Sequence, residues 1–228
     1  MAIAADFRRL GPILLAVLAA GGCAATDRPS AAVEAGRALF ETVFNPERNF
    51  AGDLGWSAYD QLMFTAVASS REDHAPDYSL AIAYRCLPVR AEHNYECRYV
   101  ARMLRVRPAD FPLQEAMARA RTRVEREAAL DRAGLDWLET DLLDCQGGIL
   151  ALDSVGMADW SPDSHYGRQR LEPIAHPATI RVRMTGTYVT SHYQGQRLGA
   201  GVPVAVSRLV ETLAPCWRPS ASPPPWRR

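Results

Sequence analysis

Two neighbouring stretches decide the fold: Tyr78-Ser79-Leu80-Ala81-Ile82-Ala83-Tyr84-Arg85-Cys86-Leu87-Pro88-Val89 and Tyr95-Glu96-Cys97-Arg98-Tyr99-Val100-Ala101-Arg102-Met103-Leu104-Arg105-Val106. Both alternate at the strand period of two, and the loop Arg90 to His93 between them is short enough for a hairpin. With Tyr84 set opposite Tyr99, Leu80 faces Met103, Ile82 faces Ala101, Cys86 faces Cys97 and Pro88 faces Tyr95. One face is then almost wholly apolar, while the other carries Arg85, Glu96, Arg98 and Arg102. A slip of one residue would set apolar side chains opposite the polar face, so the register is strongly specified. Arg85 opposite Arg98 is a like-charge pair, and Pro88 suits an edge or a strand end.

Working outward, residues 32–44 carry Val33, Leu39, Phe40, Val43 and Phe44 on a helical face stopped by Asn45-Pro46. A second helix is expected from Ser57 to about Ser69, capped by Ser57, with Leu62, Met63, Ala66 and Val67 as its stripe. Asp110 can cap a long helix to about Arg132, lined by Leu113, Met117, Ala120, Val124 and Ala128 and stopped by Gly134. Arg119, Arg121, Arg123, Glu125 and Arg126 cover much of its remaining surface. A shorter helix is expected from Asp136 to about Cys145, and Ile149 to Val155 fits helix and strand equally. Residues 159–177 read as an irregular polar loop. Thr179 to His192 alternates as a strand, with Ile180, Val182, Met184 and Gly186 on one side and Arg181, Arg183 and Thr185 on the other. Tyr193 to Gly201 reads as turns, and Val204 to Leu213 as a helix. From Pro215 onward, five prolines predict an extended or disordered tail.

At the amino terminus, Arg8 and Arg9 precede an apolar run from Leu10 to Ala20, followed by Gly21-Gly22-Cys23. A basic start, a short apolar run and small residues before a cut site mark a secretory signal, and the run is too short to span a membrane, which takes about 20 residues. With a cysteine directly after the small residues, the segment resembles the signal peptide of bacterial lipoproteins, although Ala20 stands where that family prefers Leu. The resemblance covers residues 1–23 alone. It implies that Cys23 is acylated, that the chain is cut before it, and that the protein is held at a membrane by lipid. Two or three acyl chains suffice for stable anchoring, at about 0.8 kcal/mol per buried CH₂. Ala24, where the family's inner-membrane retention signal places Asp, points to the outer membrane, with the protein facing the periplasm. The competing readings are an ordinary secretory signal with a chance cysteine, or an uncleaved anchor.

Four cysteines remain beyond Cys23: Cys86, Cys97, Cys145 and Cys216. An even number in an exported chain predicts two disulfides, for which three connectivities exist. The hairpin register favours Cys86–Cys97, leaving Cys145–Cys216; the alternative sends both hairpin cysteines across the core. Zinc is the rival use, but no Cys-x-x-Cys occurs and the spacings are irregular, so no metal is expected.

Composition excludes several chemistries. All 26 basic residues are arginine. Schiff-base lysines, the phosphate-binding loop and the Ser-x-x-Lys motif are therefore ruled out. Removing the signal, with Asp6, Arg8 and Arg9, leaves 24 basic and 25 acidic residues. That balance argues against a nucleic-acid partner. No dinucleotide, zinc-protease or nucleophile-elbow motif is present, and no cofactor is expected.

The most site-like stretch runs from Asp159 to Arg168. Asp163 and His165 are its candidate catalytic pair, and Trp160, Tyr166 and Arg168 its candidate binding residues. The structural reading of the same loop is an aromatic anchor, with Trp160 and Tyr166 packed on the domain. Asp73, His74, Asp77, Glu92 and His93 lie at opposite ends of a strand spanning roughly 40 Å and cannot form one metal site within the hairpin. His192 and Tyr193 have no identifiable partner. The arginine-rich helix reads as a solvated face, with contact to anionic headgroups or glycan phosphates as its functional alternative.

The expected fold is a single α+β domain, with an antiparallel hairpin (about 78–106) and a late strand packed with several helices, tied by two disulfides. Residues 1–22 form the signal, 23–31 a lipidated tether, 32–214 the domain and 215–228 the tail. The expected function is a lipid-anchored envelope protein that binds an envelope protein or glycan. A hydrolase using the 159–168 loop, and an inhibitor or accessory subunit of an envelope enzyme or secretion complex, are the alternatives.

Overall fold

In the computed structural model, described over residues 31–50, 61–69, 76–88, 95–107, 113–160, 179–186, 190–196 and 200–227, the hairpin occupies the middle of a larger sheet. Its strands are β2 (Tyr78–Pro88) and β3 (Tyr95–Val106), paired antiparallel with Tyr84 opposite Tyr99 and Cys86 opposite Cys97, as the alternation dictates. The like-charge pair Arg85–Arg98 is relieved on one side, because Arg98 lies 2.5 Å from Glu96 and 3.9 Å from Asp141.

Around the hairpin stand β1 (Gln61–Ser69), β4 (Leu135–Asp141), β5 (Thr179–Thr185), β6 (Thr190–Gln196) and the short β7 (Arg218–Pro219). The described strands run in the order β6-β5-β1-β2-β3-β4-β7, and every neighbouring pair is antiparallel. The helices are α1 (Ala31–Val43), α2 (Leu113–Arg119), α3 (Arg123–Arg132), α4 (Gly148–Gly156) and α5 (Val202–Leu213). The α+β class, the hairpin, the late strand and both disulfides are therefore as expected.

One face of the sheet is sealed by α4 and α5. Phe64, Leu80, Ile82, Met103 and Ile180 point there, against Val155 of α4 and Val206, Leu209 and Leu213 of α5. Burying each such side chain contributes about 1.5–3 kcal/mol. The opposite face is covered in part. Phe40, Val43 and Phe44 of α1, Met117 of α2 and Leu130 of α3 pack on Leu104, and Phe50 packs on Ala81 and Ala83.

Several local readings give way to non-local pairing. The helix expected over 57–69 is strand β1 across its described part; Ser57 and Asp60 lie outside the described residues. Phe64, Ala66 and Ala68 alternate into the core, while Thr65 and Ser69 are also buried because β1 sits in the middle of the sheet. Two buried faces erase the amphipathic contrast, and alanines mimic a helical stripe. The long helix to Arg132 is two helices. Thr122 caps the second, accepting from the Glu125 N–H at 3.2 Å while Glu125 accepts from the Thr122 N–H at 3.0 Å. The Arg121 and Thr122 amides hold the Glu125 carboxyl below its usual range. Gly134 ends α3 at φ 64°, as expected. Asp110 lies outside the described residues.

The helix expected over 136–145 is strand β4 followed by a turn, with Leu138 opposite Met103. Ile149–Val155 is helical. The strand expected from Thr179 to His192 is a hairpin, and Tyr193 to Gln196, expected as turns, belong to β6. The tail is neither free nor merely extended: Arg218 and Pro219 pair with β4, and Trp226 is buried with its indole N–H donating to Asp131 at 3.1 Å.

The two disulfides are Cys86–Cys97 and Cys145–Cys216. The first staples neighbouring strands. The second ties the loop after β4 to the end of α5.

A buried arginine organises the covered half of the second face. Arg102 is only 3% exposed. Its Nε donates to Glu139 Oε2 at 2.5 Å, Nη1 to the Asn49 carbonyl at 3.1 Å and Nη2 to Ser222 Oγ at 2.6 Å. Its guanidinium carbon lies 4.6 Å from the centroid of the Phe50 ring. Ser220 Oγ donates to the same Glu139 oxygen at 3.0 Å.

Three measurements check this account. Glu139→Ala removes the Glu139 carboxylate from the buried Arg102 guanidinium and is expected to cost about 2–4 kcal/mol in denaturant unfolding, below the full cost for a buried pair because Glu139 partly faces water. Trp226→Ala is expected to cost about 3 kcal/mol, whereas a free tail would give no change. Non-reducing peptide mapping should recover Cys86 linked to Cys97 and Cys145 to Cys216; free thiols at these positions would refute the pairing.

For α3, the sign of the pH dependence follows from Glu125. Its folded-state titration is depressed, so the contribution of the capping box is present above the unfolded value and is lost as pH falls through the folded one. Amide protection in α3, taken relative to intrinsic exchange at each pH, should fall over that acid range in the native chain and lose this dependence in Glu125→Gln.

Candidate functional site

The part of the sheet that carries an exposed cluster of chemistry-bearing side chains is the β1–β5–β6 end. On the face turned away from α4 and α5, Arg183 stands between Thr65 of β1 and His192 of β6, and Arg181 between Val67 and Gln194. Alternation explains the placement. Ile180, Val182 and Tyr193 turn into the core, which forces Arg181, Arg183, His192 and Gln194 outward. The two arginines, two residues apart on one strand, have backbone positions about 7 Å apart.

Their surroundings differ. Arg183 is ion-paired with Glu47, which sits in the 3₁₀ turn Pro46–Asn49 after α1. Arg181 is exposed and has no carboxylate partner among the described residues. His192 and Gln194 are also exposed. The face offers two guanidiniums, an imidazole and a carboxamide, with Glu47 as the acid that meets them. Guanidinium presents a planar fork of N–H donors suited to carboxylate or phosphate oxygens. This arrangement can bind oxyanions.

The residues singled out in the sequence fare differently. Asp163, His165, Tyr166 and Arg168 lie outside the described residues, as do Asp73, His74, Glu92, His93 and Cys23. Trp160 is half-buried and donates its indole N–H to the Val155 carbonyl at 3.1 Å, which fixes the start of the 159–168 loop to the end of α4. The backbone of Asp159 crosses Gly201, where a Cβ would approach the Asp159 carbonyl to 2.6 Å. Gly201, at φ 68°, is thus required both by its conformation and by this close approach. Cys86, Cys97, Cys145 and Cys216 are all structural. Tyr193 is a core residue, and His192, apparently solitary in the sequence, lies opposite Arg183.

Sequence reasoning placed Arg181 and Arg183 on the polar side of a strand but missed the partner row. The available signal was Gly186 as a break, followed by the alternating Ser191-His192-Tyr193-Gln194-Gly195. The arginine-rich segment of α2 and α3 is largely internally compensated: Arg119 pairs with Glu115, and Arg123 with Glu127 at 2.6 Å, each one helical turn apart. Among the described residues no three His, Cys, Asp or Glu side chains gather as a metal-ligand set. On the outer surface of α4 and at the cap that follows it, Leu150 and Met157 are 72% and 81% exposed and lie seven residues apart.

Because the Arg183–Glu47 pair is partly solvated, Arg183→Gln is expected to change stability by about 0–1 kcal/mol. Arg181→Gln should leave the melting temperature within error. A large loss in either variant would show that this face is structural. No family model, curated protein or solved structure matches this chain.

Proposed function

We propose that the chain is a lipid-anchored protein of the cell envelope, held at the outer membrane through Cys23 and facing the periplasm, that acts by binding a partner. The observation that carries this reading is the cysteine accounting. Of five cysteines, four are consumed by Cys86–Cys97 and Cys145–Cys216, and the one left over is Cys23, directly after Gly21-Gly22. Two disulfides fit an oxidising, exported compartment, and a leftover thiol there fits covalent modification. The open donor face on β5 and β6 supplies a place for recognition. No described helix is long and apolar enough to cross a membrane.

The test separates anchor from activity. Mass spectrometry of the amino-terminal peptide should find acyl chains on Cys23, and Cys23→Ser should abolish the acylated form. In a strain lacking the protein, Asp163→Asn with His165→Gln should rescue the deletion phenotype as well as the wild type does. Failure of that double variant, with the folded protein present at normal levels, would turn the reading toward a hydrolase.

A further inference from the structure

We propose that β6 is a docking edge that receives an extended, acidic segment of a partner protein, adding an eighth strand to the sheet beside the arginine face; this rests on the reading that the protein acts by binding. Two independent observations carry it, an edge that no described strand covers and a one-sided charge.

The two edges of the sheet are built differently. At one end β7 is two residues long and contains Arg218 and Pro219, devices that blunt an edge. At the other, β6 runs for seven residues, Thr190 to Gln196, in unbroken register with β5. It contains no proline, no bulge and no formally charged residue apart from His192. Among the described strands none pairs with its outer side. Alternate residues of such a strand turn backbone N–H and C=O groups outward, ready for another strand.

Charge selects the occupant. An added strand would lie about 9–10 Å from β5, two strand spacings away. Arg181 can reach across β6, over Gln194, to meet a carboxylate of the incoming segment, and Arg183 can join it over His192 by exchanging its partly solvated Glu47 partner for a carboxylate at an alternate position. Side chains on the incoming segment's other face would join the side of the sheet on which Tyr193 lies. A second copy of this chain fits less well. Pairing β6 with β6 would bring four guanidiniums to one continuous face, with Glu47 from each copy the only carboxylate among the described residues that pairs with them.

The experiment uses the acylated full-length mature protein in detergent and two fluorescent model peptides of equal length, one alternating Val with Glu and the other Val with Lys. The Glu peptide should bind and slow hydrogen exchange at the amides of Thr190–Gln196, while the Lys peptide should not. Arg181→Gln with Arg183→Gln should weaken binding about tenfold or more, and Arg181→Glu with Arg183→Glu should shift the preference to the Lys peptide.

Equal binding of both peptides, or no β6 protection at millimolar Glu peptide, overturns the proposal. Protection that depends on protein concentration without peptide assigns the edge to a second copy instead and also overturns it. Complementation by the arginine variants keeps the broader reading separate. If Arg181→Gln with Arg183→Gln fails to rescue the deletion phenotype and β6 shows no protection, the face binds its ligand otherwise and edge pairing alone falls.

Discussion

The covered half of the sheet depends on one buried cation. A guanidinium removed from water is costly unless its donors are met, and Arg102 meets that demand by drawing three separate parts of the chain to its own strand. Glu139 comes from the neighbouring strand, the Asn49 carbonyl and the Phe50 ring from the turn after α1, and Ser222 from the carboxyl-terminal segment. Asn49 returns the contact by donating its side-chain amide to the Arg102 carbonyl at 3.1 Å. The tail is therefore part of the domain, because Ser220 and Ser222 complete this network and Trp226 closes the cluster beside it.

Coverage is uneven, and the unevenness separates structure from function. Near β3 and β4 the second face is filled by α1, α2, α3 and the tail. Around β5 and β6 the same face meets water, with Glu47 reaching Arg183 from the turn after α1. Antiparallel sheets tolerate one solvated face, so the open half costs little stability and is free to carry recognition chemistry. The opposite face is sealed by α4 and α5 over Phe64, Leu80, Ile82, Met103 and Ile180. The disulfide from Cys145 to Cys216 ties the end of α5 to the turn between β4 and α4.

Legibility in the sequence followed locality. The β2–β3 hairpin was readable because both strands are contiguous, alternate cleanly and leave one apolar register. The same register placed Cys86 against Cys97 without any alignment. Helix α5 was readable from Val206, Leu209 and Leu213. Strand β1 was not, because both its faces are buried and its alanines satisfy helix and strand alike. Strand β4 was not, because Leu138, Leu142 and Cys145 imitate a helical stripe that ends in a turn. The break between α2 and α3 was written in Thr122 and Glu125, a capping box overlooked within a run of strong helix formers.

By itself, then, the sequence determined the α+β class, the central hairpin with its register, and the cysteine opposition, since period-two alternation with one apolar face admits a single pairing. Its first 23 residues carry the expectation of a lipid anchor. Only the tertiary structure decided that β1 and β4 are strands, that Arg102 is buried and that the tail is packed. It alone set His192 beside Arg183 on an open face. These outcomes rest on ladders and desolvation between residues far apart in the chain, and local periodicity contains no record of which distant segment will satisfy a buried group.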